Sequence, residues 1–339
     1  MLAHNLPFFL IFGLIGGCLS DCGYSSCESC AAAIDGCGWC LVDAKCSKEA
    51  DCKSEIFLQN DSYNCPRSPN ANFPFDDTFG RKMALPLLAA TYSPNPQPCL
   101  KNQLSTTYFY NSTLVACDHY NKSDFCYSYT AFDLSRKAIM IAFRGTSGNF
   151  ETFAEILGML KKKDNFLNIG LIYDYFFNGF FFLWRAGLEA QVMTLRKVYP
   201  TYDVYIVGHS LGGSLASLCA AYLVKRGLFE PEKIKMMTFG QPRTGDVRYA
   251  EWHDANIPFS YRVVHHLDPI PHIPPQEVDL MHHRFEIWYD NAMTTANYTI
   301  CPYGDLIGQC ANSKIMWQFD DHTHYYDTAV SDWWKTDCK

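Results

Sequence analysis

The stretch YDVYIVGHSLGGSLASLCAAYLVKRG, residues 202–227, constrains the fold more than any other part of the chain. It opens as an apolar run rich in β-branched residues, the signature of a buried strand. It then passes Gly208, Ser210, Gly212 and Gly213 and continues with apolar residues at helical spacing as far as Gly227. Residues 208–212 fit G-x-S-x-G, a common chance match in isolation. A strand before it and a helix after it give it meaning: a nucleophilic serine on a tight strand-to-helix turn, with helix amides aimed at developing negative charge. The bland alternative is a serine that merely begins a helix.

Similar runs recur. KAIMIAF (137–143), KIKMMTFG (233–240) and YRVVHH (261–266) read as buried strands, and FLWRAGLEAQVMTLRKVYP as a helix between two of them. Strands alternating with helices predict an α/β domain with a central, mostly parallel sheet. The 339 residues, 48% hydrophobic, suffice for such a core. A net charge of −7 and no basic run longer than Lys161–Lys163 exclude the footprint of a nucleic-acid binder.

Cysteine usage divides the chain. Eight of the 16 cysteines lie between Cys22 and Cys65, followed by the break PRSPNANFP. A segment this short needs crosslinks to fold. Paired C-x-x-C spacings at Cys27/Cys30 and Cys37/Cys40 also suit zinc, but exported cysteines more often pair with each other. Export is the expectation here. Residues 1–20 have an apolar run, Leu6 to Leu14, and small residues before a cleavage point after Ser20, as in a signal peptide. The run is shorter than the roughly 20 residues of a membrane span. Sequons at Asn60, Asn111, Asn121 and Asn297 point the same way.

A nucleophilic serine needs an acid and a base, which follow it in chain order in this class of fold. In VVHHLDPIPHIPP, Asp268 stands just past a strand end, where Pro269 turns the chain. Asp246, Asp254 and Asp279 lack a strand immediately before them, although an Asp-Pro pair is also an ordinary turn cap. For the base, His272, His282, His283, His322 and His324 are available. QFDDHTHYYD is best placed, and spacing alone does not separate His322 from His324. Histidine pairs at 265–266 and 282–283 raise the question of a metal, but no fixed zinc spacing such as H-E-x-x-H appears.

Two resemblances carry these observations further. Residues 22–65, with C-G-W-C and a cysteine beyond it, resemble a PSI domain, the cysteine-rich module of plexins, semaphorins and integrins. The resemblance places the module at 21–66 and implies bridges Cys22–Cys37, Cys27–Cys65, Cys30–Cys46 and Cys40–Cys52. Such modules position neighbours rather than catalyse, and the sequence names no protein partner for this one. Residues 75–339 are similar to the class 3 lipase family, through IAFRGT (141–146), GHSLGG, DPIPHIPP and DHTHY in that order. That similarity implies an α/β-hydrolase fold with Ser210 as nucleophile, Asp268 as orienting acid and His322 as base. Thr146 and Leu211 would supply oxyanion amides, with the Thr146 hydroxyl as an extra donor. It also implies bridges Cys99–Cys338, Cys117–Cys126 and Cys301–Cys310, leaving Cys219 as a small buried hydrophobe.

The activity implied is hydrolysis of lipid carboxylic esters by a secreted enzyme with no metal or organic cofactor. A phospholipase A1 or a feruloyl-type esterase would carry the same motifs, and a non-catalytic secreted interaction protein is the reading from outside enzymes. Residues 147–184 hold FAEILGML at amphipathic spacing, then Lys161–Lys163 and FFNGFFFLW. The first suggests a lid opening toward lipid, with the lysines near headgroups. The last reads as ordinary core.

Overall fold

The computed structural model describes residues 22–53, 58–117, 124–146 and 162–339. The chain divides into two compact units between Ser62 and Tyr63. In the first, a helix (Cys27–Ala31) capped by the Ser26 side chain precedes β1 (Cys37–Cys40), β2 (Lys45–Lys48) and β3 (Leu58–Gln59). These form an antiparallel sheet in the order β2-β1-β3. Its buried hydrophobic residues, among those described, are Ala31 and five cysteines: Cys27, Cys30, Cys37, Cys40 and Cys52. Disulfides Cys22–Cys37, Cys30–Cys46 and Cys40–Cys52 therefore take the place of an apolar core, as a unit this small requires. Cys27 is disulfide-bonded as well.

The second unit is built on eight strands: β4 (Thr107–Ala116), β5 (Phe125–Asp133), β6 (Ala138–Phe143), β9 (Asp203–His209), β10 (Ile234–Phe239), β11 (Phe259–His265), β12 (Glu286–Tyr289) and β13 (Thr299–Ile300). Short pairs β7 (Lys163–Asn165) with β8 (Leu171–Tyr173) and β14 (His324–Tyr325) with β15 (Thr328–Ala329) lie outside this sheet. The order is β13-β12-β11-β10-β9-β6-β5-β4, with β6, β9, β10, β11 and β12 mutually parallel and the edges antiparallel.

Both faces are covered, so the central strands are apolar throughout yet still alternate. Ile139, Ile141, Phe143, Val204 and Ile206 join one core, while Met140, Ala142, Tyr205 and Val207 join the other. The first core receives the helix Leu211–Lys225, buried on most of its circumference, whose Leu215 and Leu218 are each worth about 2–5 kcal/mol against alanine. Gly227, at φ +63°, ends that helix. The aromatic run also belongs to this core: Phe176, Phe180, Leu183 and Trp184 are buried on or just beyond the helix Asp174–Leu183. Disulfides Cys99–Cys338, Cys117–Cys126 and Cys301–Cys310 crosslink the unit, Cys65 is bonded too, and Cys219 is a free buried thiol. No helix among the described residues is long and apolar enough to cross a membrane.

Candidate active site

Parallel strands bring the carboxyl ends of β9, β10 and β11 side by side. Ser210 follows β9 directly with φ 54° and ψ −128°, a conformation a side-chain-bearing residue holds only under constraint. The constraint is the turn itself: the Ser210 amide donates to Phe239 O at 2.9 Å and Gly213 N donates back to Ser210 O at 2.8 Å. The flanking glycines are needed for contact. A Cβ on Gly208 would stand 2.0 Å from Gly212 O, and one on Gly212 would stand 2.3 Å from Phe143 O. Ser210 is fully buried, and its Oγ makes no hydrogen bond among the described residues.

Asp268 and His322 are also fully buried. His322 Nδ1 lies 2.9 Å from both Oδ1 and Oδ2 of Asp268. A carboxylate only accepts, so Nδ1 carries a proton, and Nε2 is the ring nitrogen that can present a lone pair. Burial pushes the Asp268 carboxyl up, but the His322 ring, the Tyr325 hydroxyl at 2.6 Å and the Ile270 amide at 2.9 Å outweigh it and hold it below its usual range. Gly240, after β10 with φ +55°, leaves room for this pair: a Cβ there would lie 2.6 Å from both Asp268 Oδ2 and His322 Nδ1.

Two further groups brace the site. His209 stacks on His322 with ring centroids 4.6 Å apart, and its Nε2 donates to the His322 carbonyl at 2.8 Å. Its Nδ1 must then accept from Tyr92 Oη, 2.7 Å away, while the Gly145 amide also faces that hydroxyl. Burial, with the neighbouring His322, lowers the His209 pKa to about 3, so the ring is a neutral strut. Asp321 clasps the acid loop. Its Oδ2 accepts from Leu267 N at 3.0 Å and His266 Nδ1 at 3.2 Å, and its carbonyl accepts from His265 Nδ1 at 3.1 Å. The sequence reading gives His209, Tyr92 and Tyr325 no role and uses Asp321 only as the first residue of DHTHY, the motif that Tyr325 closes and that contains His322.

The competing residues are occupied elsewhere. Asp246 caps the helix Val247–Asn256, Asp254 lies against Arg284, and Asp279 pairs with Lys163 at 2.8 Å. Lys163 also donates to Val278 O and Asp279 O, so it is held to the protein rather than offered to headgroups. His324 is exposed, His272 bonds Asn312, His282 bonds Pro271 O and His283 faces Gln241. Thr146 lies just past β6, its Oγ1 buried without a hydrogen bond among the described residues. Leu211 is the first residue of its helix, so its amide has no partner inside the helix. FAEILGML lies outside the described residues.

His253, Asp254 and His283 bring potential ligand atoms within 4.8 Å of one another. Their imidazoles stack at 4.0 Å and 15°, so the in-plane lone pairs run parallel instead of converging, and the Arg262 charge acts on both rings. That geometry suits a neutral stacked pair better than a cation.

A buried serine in a constrained turn, with a carboxylate-held imidazole over the same sheet edge, defines the α/β-hydrolase class of serine esterases. Residues 140–278 match the family described as Lipase (class 3). A lipase of Caenorhabditis elegans is 32% identical over 296 residues, covering 76% of this chain and 81% of that protein. The chain belongs to the class 3 lipase family and is a serine carboxylic ester hydrolase. A lipase of Rhizopus niveus is 31% identical over 57% of this chain and 48% of its own length, so the chain spans about half of that fungal relative. The solved structure of the Rhizomucor miehei triacylglyceride lipase superposes with TM-score 0.63 at 23% identity, covering 76% of this chain and 97% of that one.

Proposed function

We propose that Ser210, His322 and Asp268 form the catalytic triad of a secreted enzyme that hydrolyses lipid carboxylic esters through an acyl-enzyme. The observation that carries this reading is the His322 Nδ1 contact to both Asp268 oxygens at 2.9 Å, beside the constrained Ser210 turn. His322 Nε2 takes the proton from Ser210 Oγ as it attacks the ester carbonyl. The amides of Thr146 and Leu211, with the Thr146 hydroxyl, receive the oxyanion. His322 then protonates the leaving alcohol, and water, deprotonated by the same ring, releases the fatty acid.

Triacylglycerol is the substrate class favoured, since the superposed fungal enzyme is named a triacylglyceride lipase. Secretion follows from residues 1–20 read as a leader and is supported by the disulfides and by the exposure of Asn60, Asn111 and Asn297 as glycan acceptors. Asn121 lies outside the described residues. The N-terminal module reads as PSI-like over residues 21–66, with 75–339 as the lipase domain. The bonded pairs Cys22–Cys37, Cys30–Cys46 and Cys40–Cys52 support that reading, in which Cys27 joins Cys65.

Assaying emulsified triglycerides, phospholipids, feruloyl esters and soluble short esters with wild type and Ser210→Ala tests the proposal. Glyceride hydrolysis lost by several orders of magnitude in the variant supports it. A phospholipid or feruloyl preference replaces the substrate class, and activity surviving in Ser210→Ala overturns the mechanism.

A further inference from the structure

Large apolar residues crowd one exposed segment, Ile315-Met316-Trp317-Gln318-Phe319, immediately ahead of His322. Ile315 is 91% exposed, Met316 69%, Trp317 46% and Phe319 38%. Single exposed hydrophobics need no explanation, but four within five residues do.

The segment is fixed in place. Trp317 packs on His272 with ring centroids 4.1 Å apart, and Gln318 N donates to Leu267 O at 2.9 Å. Both partners belong to the turn that carries Asp268. Phe319 opens the short helix Phe319–Thr323, whose Asp321 grips Leu267 N. The apolar tip is thereby held to the acid and base loops together, and whatever it meets is brought to the rim of the site.

Its size decides between occupants. The four side chains offer on the order of 500 Å² of exposed surface, in the range where apolar patches on monomers are functional. That falls short of the ~800 Å² that each partner gives to a stable protein interface. A narrow convex tip instead suits insertion among acyl chains, where a few side chains suffice and tryptophan favours the boundary.

We propose that residues 315–319 are a lipid-docking tip that seats the enzyme on aggregated lipid and so presents the site to its substrate. The proposal rests on the ester-hydrolase reading for its purpose, but its test does not.

The full mature chain is sedimented with phosphatidylcholine vesicles as wild type, as Ile315→Asp/Met316→Asp, as the milder Ile315→Ser/Met316→Ser, and as Val198→Asp. Val198 is 59% exposed and precedes the amino end of β9, away from the site. Thermal unfolding checks that each variant folds. The tip variants are expected to partition about 10- to 100-fold more weakly, the Asp pair most, and Val198→Asp like wild type. The ratio of emulsified-triglyceride to soluble-ester hydrolysis is expected to fall about tenfold with them. Tip variants that partition like wild type overturn the proposal. So does concentration-dependent dimerisation of wild type that the variants abolish. A wild type that binds vesicles through the tip but cleaves neither ester overturns the ester-hydrolase reading alone.

Discussion

Tyr325 donates its hydroxyl to Asp268 Oδ2 at 2.6 Å, on the same oxygen that lies 2.9 Å from His322 Nδ1. Burial, together with the Asp268 charge, keeps Tyr325 a phenol. The bond is to a charged acceptor and is worth about 1.5–3 kcal/mol. Tyr325→Phe should therefore lower kcat on a soluble ester by about tenfold, and at most about a hundredfold, with KM little changed. Steady-state kinetics checks this, and an unchanged kcat removes Tyr325 from the positioning of the acid.

Tyr92 links the turn after β6 to the base. Its hydroxyl meets His209 Nδ1, and His209 Nε2 in turn donates to the His322 carbonyl. Tyr92→Phe leaves the packing and the His209–His322 bond but removes the hydroxyl's contacts with His209 Nδ1 and the Gly145 amide. Because it acts through other groups, the expected loss in kcat is about 5- to 20-fold, below the 10²–10³ of a direct oxyanion donor. A loss confined to KM would assign Tyr92 to substrate binding instead.

Asp321 should behave as a hinge pin between the base and acid loops. Asp321→Asn keeps an oxygen to accept from Leu267 N and should retain kcat within about threefold, whereas Asp321→Ala keeps none and should lose about tenfold. The comparison separates geometry from charge. Equal losses in both variants would mean that the charge facing His265 and His266 is what matters.

Acid should destabilise the fold. Burial lowers the pKa of His209 and His253 to about 3 and of His272 to about 4. Below the unfolded value near 6.5 the unfolded chain then binds more protons, and each such imidazole withdraws about 1.4 kcal/mol per pH unit. Asp254, raised by burial to about 6, and Glu286, also raised by burial, oppose them as carboxyls that gain protons in the folded state first, but they are outnumbered by the buried imidazoles. The unfolding temperature should fall between pH 6.5 and pH 4. A flat or rising profile by circular dichroism contradicts these burials.

Much of the architecture was legible because the central strands are covered on both faces. The runs at 137–143, 202–208, 233–240 and 261–266 differ by one to two residues from β6, β9, β10 and β11. The antiparallel strands β4 and β5 were not, since β4 alternates exposed polar residues with a bulge at Phe109/Asn111 and carries no continuous apolar signal. Within the site, Ser210 and Asp268 are marked by position after strands. Spacing does not choose between His322 and His324; burial does, placing one against Asp268 and the other in solvent. Tyr92 and His209 needed coordinates, because 117 residues separate two atoms 2.7 Å apart.

The central claim is that Ser210 is the nucleophile. It is tested most directly by treating the folded, mature chain with a fluorophosphonate and locating the adduct by peptide mass spectrometry. The expected result is a single phosphonyl adduct on Ser210, formed rapidly in wild type, slowed by orders of magnitude in His322→Ala and absent after unfolding. An adduct on another residue, or a folded protein whose Ser210 stays unlabelled, contradicts it.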